Sequence, residues 1–372
     1  MPHPDFDNRT AFFADALHLI DERLAPLLTV VIKGTFDILP GGCLALRAEQ
    51  PPLELVGLLQ DPEAEQSSHR YEPEIAPFKV ATDVVFVGHA HAPHPRTMRM
   101  DVGLHVGPVS RSLRVFGDRV WVRALGASVL TQPLPFERIP VVYERAFGGW
   151  DTSATDPRRH AFEPRNPVGR GYHHRRGKRR ARVLAPNLEA IEHPIRSPHD
   201  TPPPACLGFV SPHWQPRVAL AGTHDAAWRE HEFPRLPADF DRRHHNAASP
   251  GLVAPGHLRG DERVQTVGLS PEGTLGFTLP GIPPPAVRVS LAQAVDHRLS
   301  AVLDTLVVDL DDRRLTMLWR ACLPLPEGPH DVRAIEVTCS ASLALPRSDT
   351  VSPSAYAANQ PSSRGPRACP SP

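Results

Sequence analysis

Apolar residues recur mainly with a period of two, the spacing that places alternate side chains on one face of a β-strand. Residues 27–38, LLTVVIKGTFDI, are rich in β-branched and aromatic side chains, and Pro40-Gly41-Gly42 leads from them into CLALRAE. That pair predicts an opening hairpin. The run KVATDVVFVGHA at 79–90 is almost continuously apolar, as in a strand buried on both faces. A further hairpin is predicted in SLRVFGDRVWVRAL at 112–125, with Gly117-Asp118 as a two-residue turn. Strands are also expected at 217–222, 263–269, 274–279, 286–291, 301–310, 314–323 and 332–343. Ser270-Pro271-Glu272-Gly273 and Asp311-Asp312-Arg313 would join antiparallel neighbours. Helices are expected only at HDAAWREHEF (224–233) and, on looser spacing, AFFADALHLIDERL (11–24).

The predicted fold is therefore mainly β: antiparallel sheets, sandwich-like or as two packed β cores, with long irregular loops and few short helices. Residues 1–345 form the β-rich unit, and the length also allows two subdomains. The segment 133–215, rich in Pro, Arg and His, is its long loop region, of a length that is usually functional or partly disordered. Residues 346–372, rich in Ser and Pro, are expected to be a disordered tail.

Composition sharpens this picture at three points. Proline makes up 44 of 372 residues, about twice the roughly 5% of ordinary proteins, which disfavours long helices. Lys+Arg and Asp+Glu balance at 41 each, so a globally basic nucleic-acid binder is not expected. The five cysteines are scattered without a CxxC pair, which fits a reducing, cytoplasmic setting and no disulfide framework. The N-terminus lacks the basic and apolar regions of a secretory signal, and no stretch is long enough to span a membrane.

Candidate chemistry is sparse. His89 and His91 would share one face of a strand, a geometry that can bind zinc or iron with Asp83 or Asp101 as a further ligand. Pro93 and Pro95 break that strand at once, so exposed loop histidines are the plainer reading and no metal is expected. The basic run His173–Arg180 lacks the spacing and the Ser/Thr of a phosphate loop. There is no G-x-S-x-G around Ser128, and nothing near Cys206 would activate its thiol. Asp239/Asp241 and Asp311/Asp312 suit turn capping better than acid–base work.

What remains is a series of loop signatures: YERAFGGWD (143–151), EPRNPVGRGY (163–172), APNLE (185–189), HWQPR (213–217) and PADFDRRHHNAA (237–248). Gly148 and Gly149 permit positive φ, which would aim Phe147 and Trp150 into one pocket with Arg145 and Asp151 beside them. Asn166 and Asn187 favour Asx turns, and Asp239 and Asp241 flank Phe240. These are the candidate partner-binding or loop-fixing residues; none is assigned a catalytic role.

With KVATDVVFVGHAHAP, VFGDRVW, WQPRVALAGTHDAAW, GDERVQTVGLSPEG and FTLPG, this ordered set resembles an uncharacterised bacterial domain family associated with type VI secretion, over about Leu28 to Leu323. CLGFVSPHW and His224 depart from the pattern of that family. The resemblance implies a non-enzymatic, cytoplasmic adaptor or chaperone without cofactor. It would bind and stabilise a type VI effector and help load it onto the spike, a VgrG or PAAR-like tip. The competing expectation is a metal-dependent hydrolase or secreted effector that uses His89 and His91.

Overall fold

A computed structural model describes residues 4–64, 66–124, 127–174, 182–292 and 296–340. The tail 346–372 and most of the basic run, 175–180, lie outside these residues.

Three sheets carry most of the strands. The chain begins with β1 (Asp5–Asn8), β2 (Phe13–Ile20), β3 (Pro26–Ile38) and β4 (Leu44–Leu46). It continues through β5 (Asp83–Val87), β6 (Arg99–Val106), β7 (Val109–Phe116) and β8 (Leu188–Ala190). After a long excursion come β9 (Arg263–Val267), β10 (Thr274–Thr278), β11 (Ala286–Leu291) and β12 (Asp296–Ser300). The series ends with β13 (Val302–Asp309), β14 (Arg314–Pro324) and β15 (Val332–Thr338).

The largest sheet runs β2-β3-β14-β13-β5, with β4 added to β3. Its centre pairs β3 with β14 antiparallel from Leu27–Pro324 to Asp37–Arg314. A second sheet runs β8-β7-β6-β9-β10, and a third β1-β15-β11-β12. Pairing is mostly antiparallel; β5 lies parallel to β13, and β1 to β15.

The two-faced burial expected of apolar runs is found in β3, where ten consecutive positions from Leu27 to Phe36 are buried. Leu28, Val30 and Ile32 face the main core, which also takes in side chains of the other two sheets such as Leu104, Leu113, Val289 and Ile335. On the opposite face Val31 and Leu318 are covered by Leu53. Trp319 is fully buried and stacks on Phe12 with ring centroids 5.6 Å apart.

Buried charges tie loops to this sheet. Lys33 Nζ reaches Glu74 at 2.8 Å and donates to Pro52 O, while Lys79 Nζ reaches Asp83 at 2.7 Å. Arg320 pairs with Asp304 where both are almost fully buried. Removing one partner of such a pair strands a charge in the interior, which is far costlier than the pair's net contribution.

Several local expectations are corrected. Residues 13–20 form β2 rather than a helix, because the register with β3 (Phe13–Lys33 to Ile20–Pro26) recruits them into the sheet. The expected strand at 217–222 is a 3₁₀ turn over Arg217–Ala221. Gly117-Asp118 does not close a hairpin: β7 folds back on β6, and Val120–Ala124 pairs with Ala127–Leu130 and Arg182–Leu184. Gly117 is needed for another reason, since a Cβ there would lie 1.7 Å from Leu134 O where two loops cross. Region 79–90 is shorter as a strand than its apolar run, with β5 ending before Gly88 and a three-residue strand following at His89–His91. The single described α-helix, α1 (Ala226–His231), is capped by Asp225, which accepts from Trp228 N–H at 2.8 Å.

Candidate polypeptide-binding groove

Loop 143–151 is built on one asparagine. Asn166 is fully buried, and its Nδ2 donates to Tyr143 O (2.8 Å) and Phe147 O (3.0 Å). Gly148 passes so close that a Cβ would sit 2.1 Å from Asn166 O, and its φ of 151° suits glycine alone. Asn187, also fully buried, gathers three further loops. Its Nδ2 donates to Phe116 O and Asp118 Oδ1, both at 3.0 Å, and its Oδ1 accepts from Arg145 (3.3 Å) and Arg170 (3.2 Å). These two residues were expected to make Asx turns on their own amides; instead both side chains serve carbonyls and guanidinium groups far along the chain.

Phe147 and Trp150 do not share a pocket. Phe147 is buried against Tyr172. Trp150 is 46% exposed and stacks on Phe162 at 4.5 Å. They sit in separate two-residue strands, Phe147–Gly148 paired with Arg170–Gly171 and Trp150–Asp151 with Ala161–Phe162, and the positive φ of Gly148 and Gly149 turns the chain between them. Asp151 is buried and accepts from Ser153 N–H (3.0 Å) and His174 N–H (2.7 Å), with His173 Nδ1 at 3.3 Å. Burial alone would raise its pKa; the Ser153 and His174 hydrogen bonds and His173 outweigh it and hold the carboxyl below its ordinary value.

The second loop group is arranged by its aspartates. Asp239 accepts from the Thr223 N–H (2.9 Å) and hydroxyl (2.7 Å), and these bonds lower its pKa. Asp241 caps the 3₁₀ turn Arg242–His245 by accepting from Arg243 N–H, and Arg243 lowers its pKa in turn. Phe240 packs on His244 and His245, with centroids 5.8 and 5.6 Å away. Burial first, and then the charges of His244 and Arg217, push the His245 imidazole down to about 4.

Two adjoining cavities open between these groups. One, of about 540 Å³, is bounded by Arg111, Tyr143, Arg165 and Pro203-Pro204. The other, of about 420 Å³, is bounded by Ala81, Leu220, Arg243, Asn246 and Val253. Val210, Pro216 and Pro250 belong to both and form the ridge between them. The candidate loop residues thus stand behind this groove: Asn166 holds Tyr143 in its wall, and Asp241 holds Arg243. Phe147, Trp150 and Phe240 line neither cavity.

Three of the four arginines along the groove are tied to carboxylates. Arg165 binds Glu163 through Nε and Nη2, Arg217 pairs with Glu72, and Arg243 pairs with Asp241. The rest of the lining is mostly aliphatic and proline, with Tyr143, Glu192, His193 and Gln215 in the first cavity and Asn246 in the second. Buried Cys206 lies nearby, but burial pushes its thiol up to about 12, so no thiolate is offered there.

The histidine pair stands elsewhere. His89 and His91 do share a strand face, with ring centroids 6.4 Å apart, and His89 Nδ1 is 2.8 Å from Asp311 Oδ1. The expected further ligands are engaged apart from them: Asp83 with Lys79 and Asn246, Asp101 with Arg114. Among the described residues no three His, Cys, Asp or Glu side chains gather as a metal-ligand set, and no described helix is long and apolar enough to cross a membrane.

Residues 23–320 match the family described as "uncharacterized protein conserved in bacteria", DUF2169. The chain belongs to that family. Every residue that lines the DUF2169 groove falls within the matched span, whereas β1, β2 and β15 fall outside it. No curated protein and no solved structure matches the chain.

Sequence reasoning reached the groove through its loop signatures: YERAFGGWD supplies Tyr143, EPRNPVGRGY Arg165, HWQPR Pro216 and Arg217, and PADFDRRHHNAA Arg243 and Asn246. It missed Arg111 and Val253. Those residues come from separate segments whose local patterns look like ordinary strand, loop or turn, and only the tertiary fold brings them to one rim.

Proposed function

We propose that this DUF2169 protein is a non-catalytic adaptor or chaperone that holds an extended stretch of a client polypeptide in the double groove. The supporting observation is the groove itself: two adjoining cavities with mostly aliphatic and proline walls, three of four arginines already paired with carboxylates, and neighbouring loops locked by buried asparagines. Such a surface favours contact and shape over reaction, and rigid apolar grooves beside open sheet edges are a recurrent way to bind peptides. The resemblance of the chain to proteins associated with type VI secretion makes an effector, or the spike tip that carries it, the proposed client. A client bound only in its folded or held form is stabilised by mass action, by about 2.7 kcal/mol when free adaptor exceeds its Kd a hundredfold.

The test is coexpression with a candidate type VI effector and a VgrG or PAAR-like spike-tip protein. Co-elution on gel filtration and raised effector abundance are expected, and both are lost in Leu220→Arg, which places a charge in the apolar half of the groove. An effector level unchanged by coexpression, with no complex on the column, overturns the proposal.

A further inference from the structure

The segment Leu252–Pro255 lies along β5 without belonging to its sheet. Val84 N–H donates to Leu252 O and Ala254 N–H to Thr82 O, both at 2.9 Å, flanking a bridge between Asp83 and Val253. In that antiparallel pattern the N–H and C=O of the central residue, Val253, turn away from β5. Neither has a hydrogen-bond partner among the described residues. Burial alternates along the segment: Leu252 and Ala254 point inward, while Val253 and Pro255 are exposed. This is a short open edge at the groove, and Pro255, with no N–H, limits how far pairing can extend. Beside it, Asn246 is 7% exposed; its Nδ2 is committed to Ala81 O and Asp83, and its Oδ1 has no partner.

Arg111 completes the picture. It makes no ion pair with any described residue, in contrast to Arg165, Arg217 and Arg243. One Nη donates to Pro250 O, and its buried Nε has no acceptor. Pro250 precedes Val253 by three residues across a turn in which Leu252 N–H donates to Ser249 O and Gly251 has φ 86°, so the two lie closer than the ~10 Å of an extended chain.

We infer that the groove captures an extended client segment by pairing its main chain with Val253, and that a carboxylate two to four residues away on that segment binds Arg111. The inference rests on the proposed client-binding role of the groove and adds the chemistry of the client: an apolar strand carrying one acidic residue at a set distance. Glu192 and His193 line the same cavity without an ion pair to Arg111, so among the groove's arginines Arg111 alone has no carboxylate partner among the described residues; it supplies the charge complementarity, and its forked N–H donors match a carboxylate.

The probes are fluorescein-labelled eleven-residue peptides of Val, Thr and Ser, with one Glu placed two, three or four residues from the central Val on either side. Fluorescence anisotropy should show saturable binding for at least one spacing. Replacing its Glu by Gln should weaken binding at least tenfold, and Arg111→Met should erase the difference between the two peptides. Val253→Pro breaks no hydrogen bond, since that N–H is unpartnered, and should abolish binding with the thermal midpoint kept; N-methylation of the central Val of the peptide, which leaves the protein unaltered, should abolish it equally. No saturable binding up to 1 mM with any spacing overturns the inference. So does binding indifferent to Val253→Pro and N-methylation, or a Glu preference that survives Arg111→Met. A client that is lost from Leu220→Arg but retained by Val253→Pro and Arg111→Met leaves the adaptor role standing and removes this mode of recognition; a client retained by all three removes the groove from the adaptor role.

Discussion

Single residues in this molecule divide into those that hold loops and those that meet solvent, and hydrogen-bond accounting separates the two. Asn187 has no exposed surface and joins segments near residues 116, 118, 145 and 170. Asn187→Ala therefore leaves buried donors and acceptors unpaired, at about 1–3 kcal/mol for each group, and urea denaturation should show a clearly lowered midpoint. Trp150 is the opposite case. Its exposed ring stacks on Phe162, an aromatic pair worth about 0.5–1.5 kcal/mol, so Trp150→Ala should cost about 1 kcal/mol. Trp319→Ala, in the centre of the core, should cost about 3–5 kcal/mol in the same assay.

His245 links residue chemistry to pH. Its folded pKa is depressed to about 4, from an ordinary value of 6.5. The unfolded chain therefore takes up the proton first as pH falls, and the stability present above pH 6.5 is lost progressively down to pH 4. At pH 5 the loss from this one group should be about 2 kcal/mol relative to pH 7 or above. Denaturation of wild type and His245→Gln at pH 7.5 and pH 5 measures it: the wild type should weaken more on acidification than the variant. Equal losses in the two proteins would contradict this assignment.

At the scale of elements, β2 is the exposed edge of the large sheet, and its defence is one side chain. Asp15 accepts from Ala16 N–H at 2.8 Å on the side away from β3, closing a donor that another strand would otherwise use. Asp15→Ala should leave the thermal midpoint within about 1 kcal/mol of stability, since the residue is exposed, while light scattering should report concentration-dependent association absent in the wild type. The long elements were legible before the fold was known. β3, β5, β9 to β11, β13 and β14 are dense in β-branched residues, and their turns carry Gly, Pro and Asp where chemistry demands them. Three local assignments failed, each because a partner distant in sequence decided the outcome. β2 looked helical until β3 recruited it; Gly117 looked like a turn but marks a crossing with Leu134; Arg217–Ala221 looked extended but curls so that Arg217 can reach Glu72 and Val210 O.

At the scale of the whole molecule, the groove was the least legible feature. The motif segments stood out because their glycines and asparagines meet demanding local geometry; Asn166 and Asn187 line neither cavity, while Tyr143, Arg165, Arg217, Arg243 and Asn246 of the same segments form part of the rim. Arg111 and Val253 carry no signature of their own; their significance comes from hydrogen bonds left unmade, which only a three-dimensional inventory reveals.

The pairing of β3 with β14 joins residues 26–38 to residues 314–324 across most of the chain. During synthesis the first long strand must wait for its partner until the ribosome has nearly finished the large sheet, and contacts this remote close slowly. A nascent chain halted before β14 would hold β3 against β2 and the short β4 alone, with the opposite edge of this apolar strand unpaired. Newly made copies should accordingly depend on general holding factors until β14 has emerged.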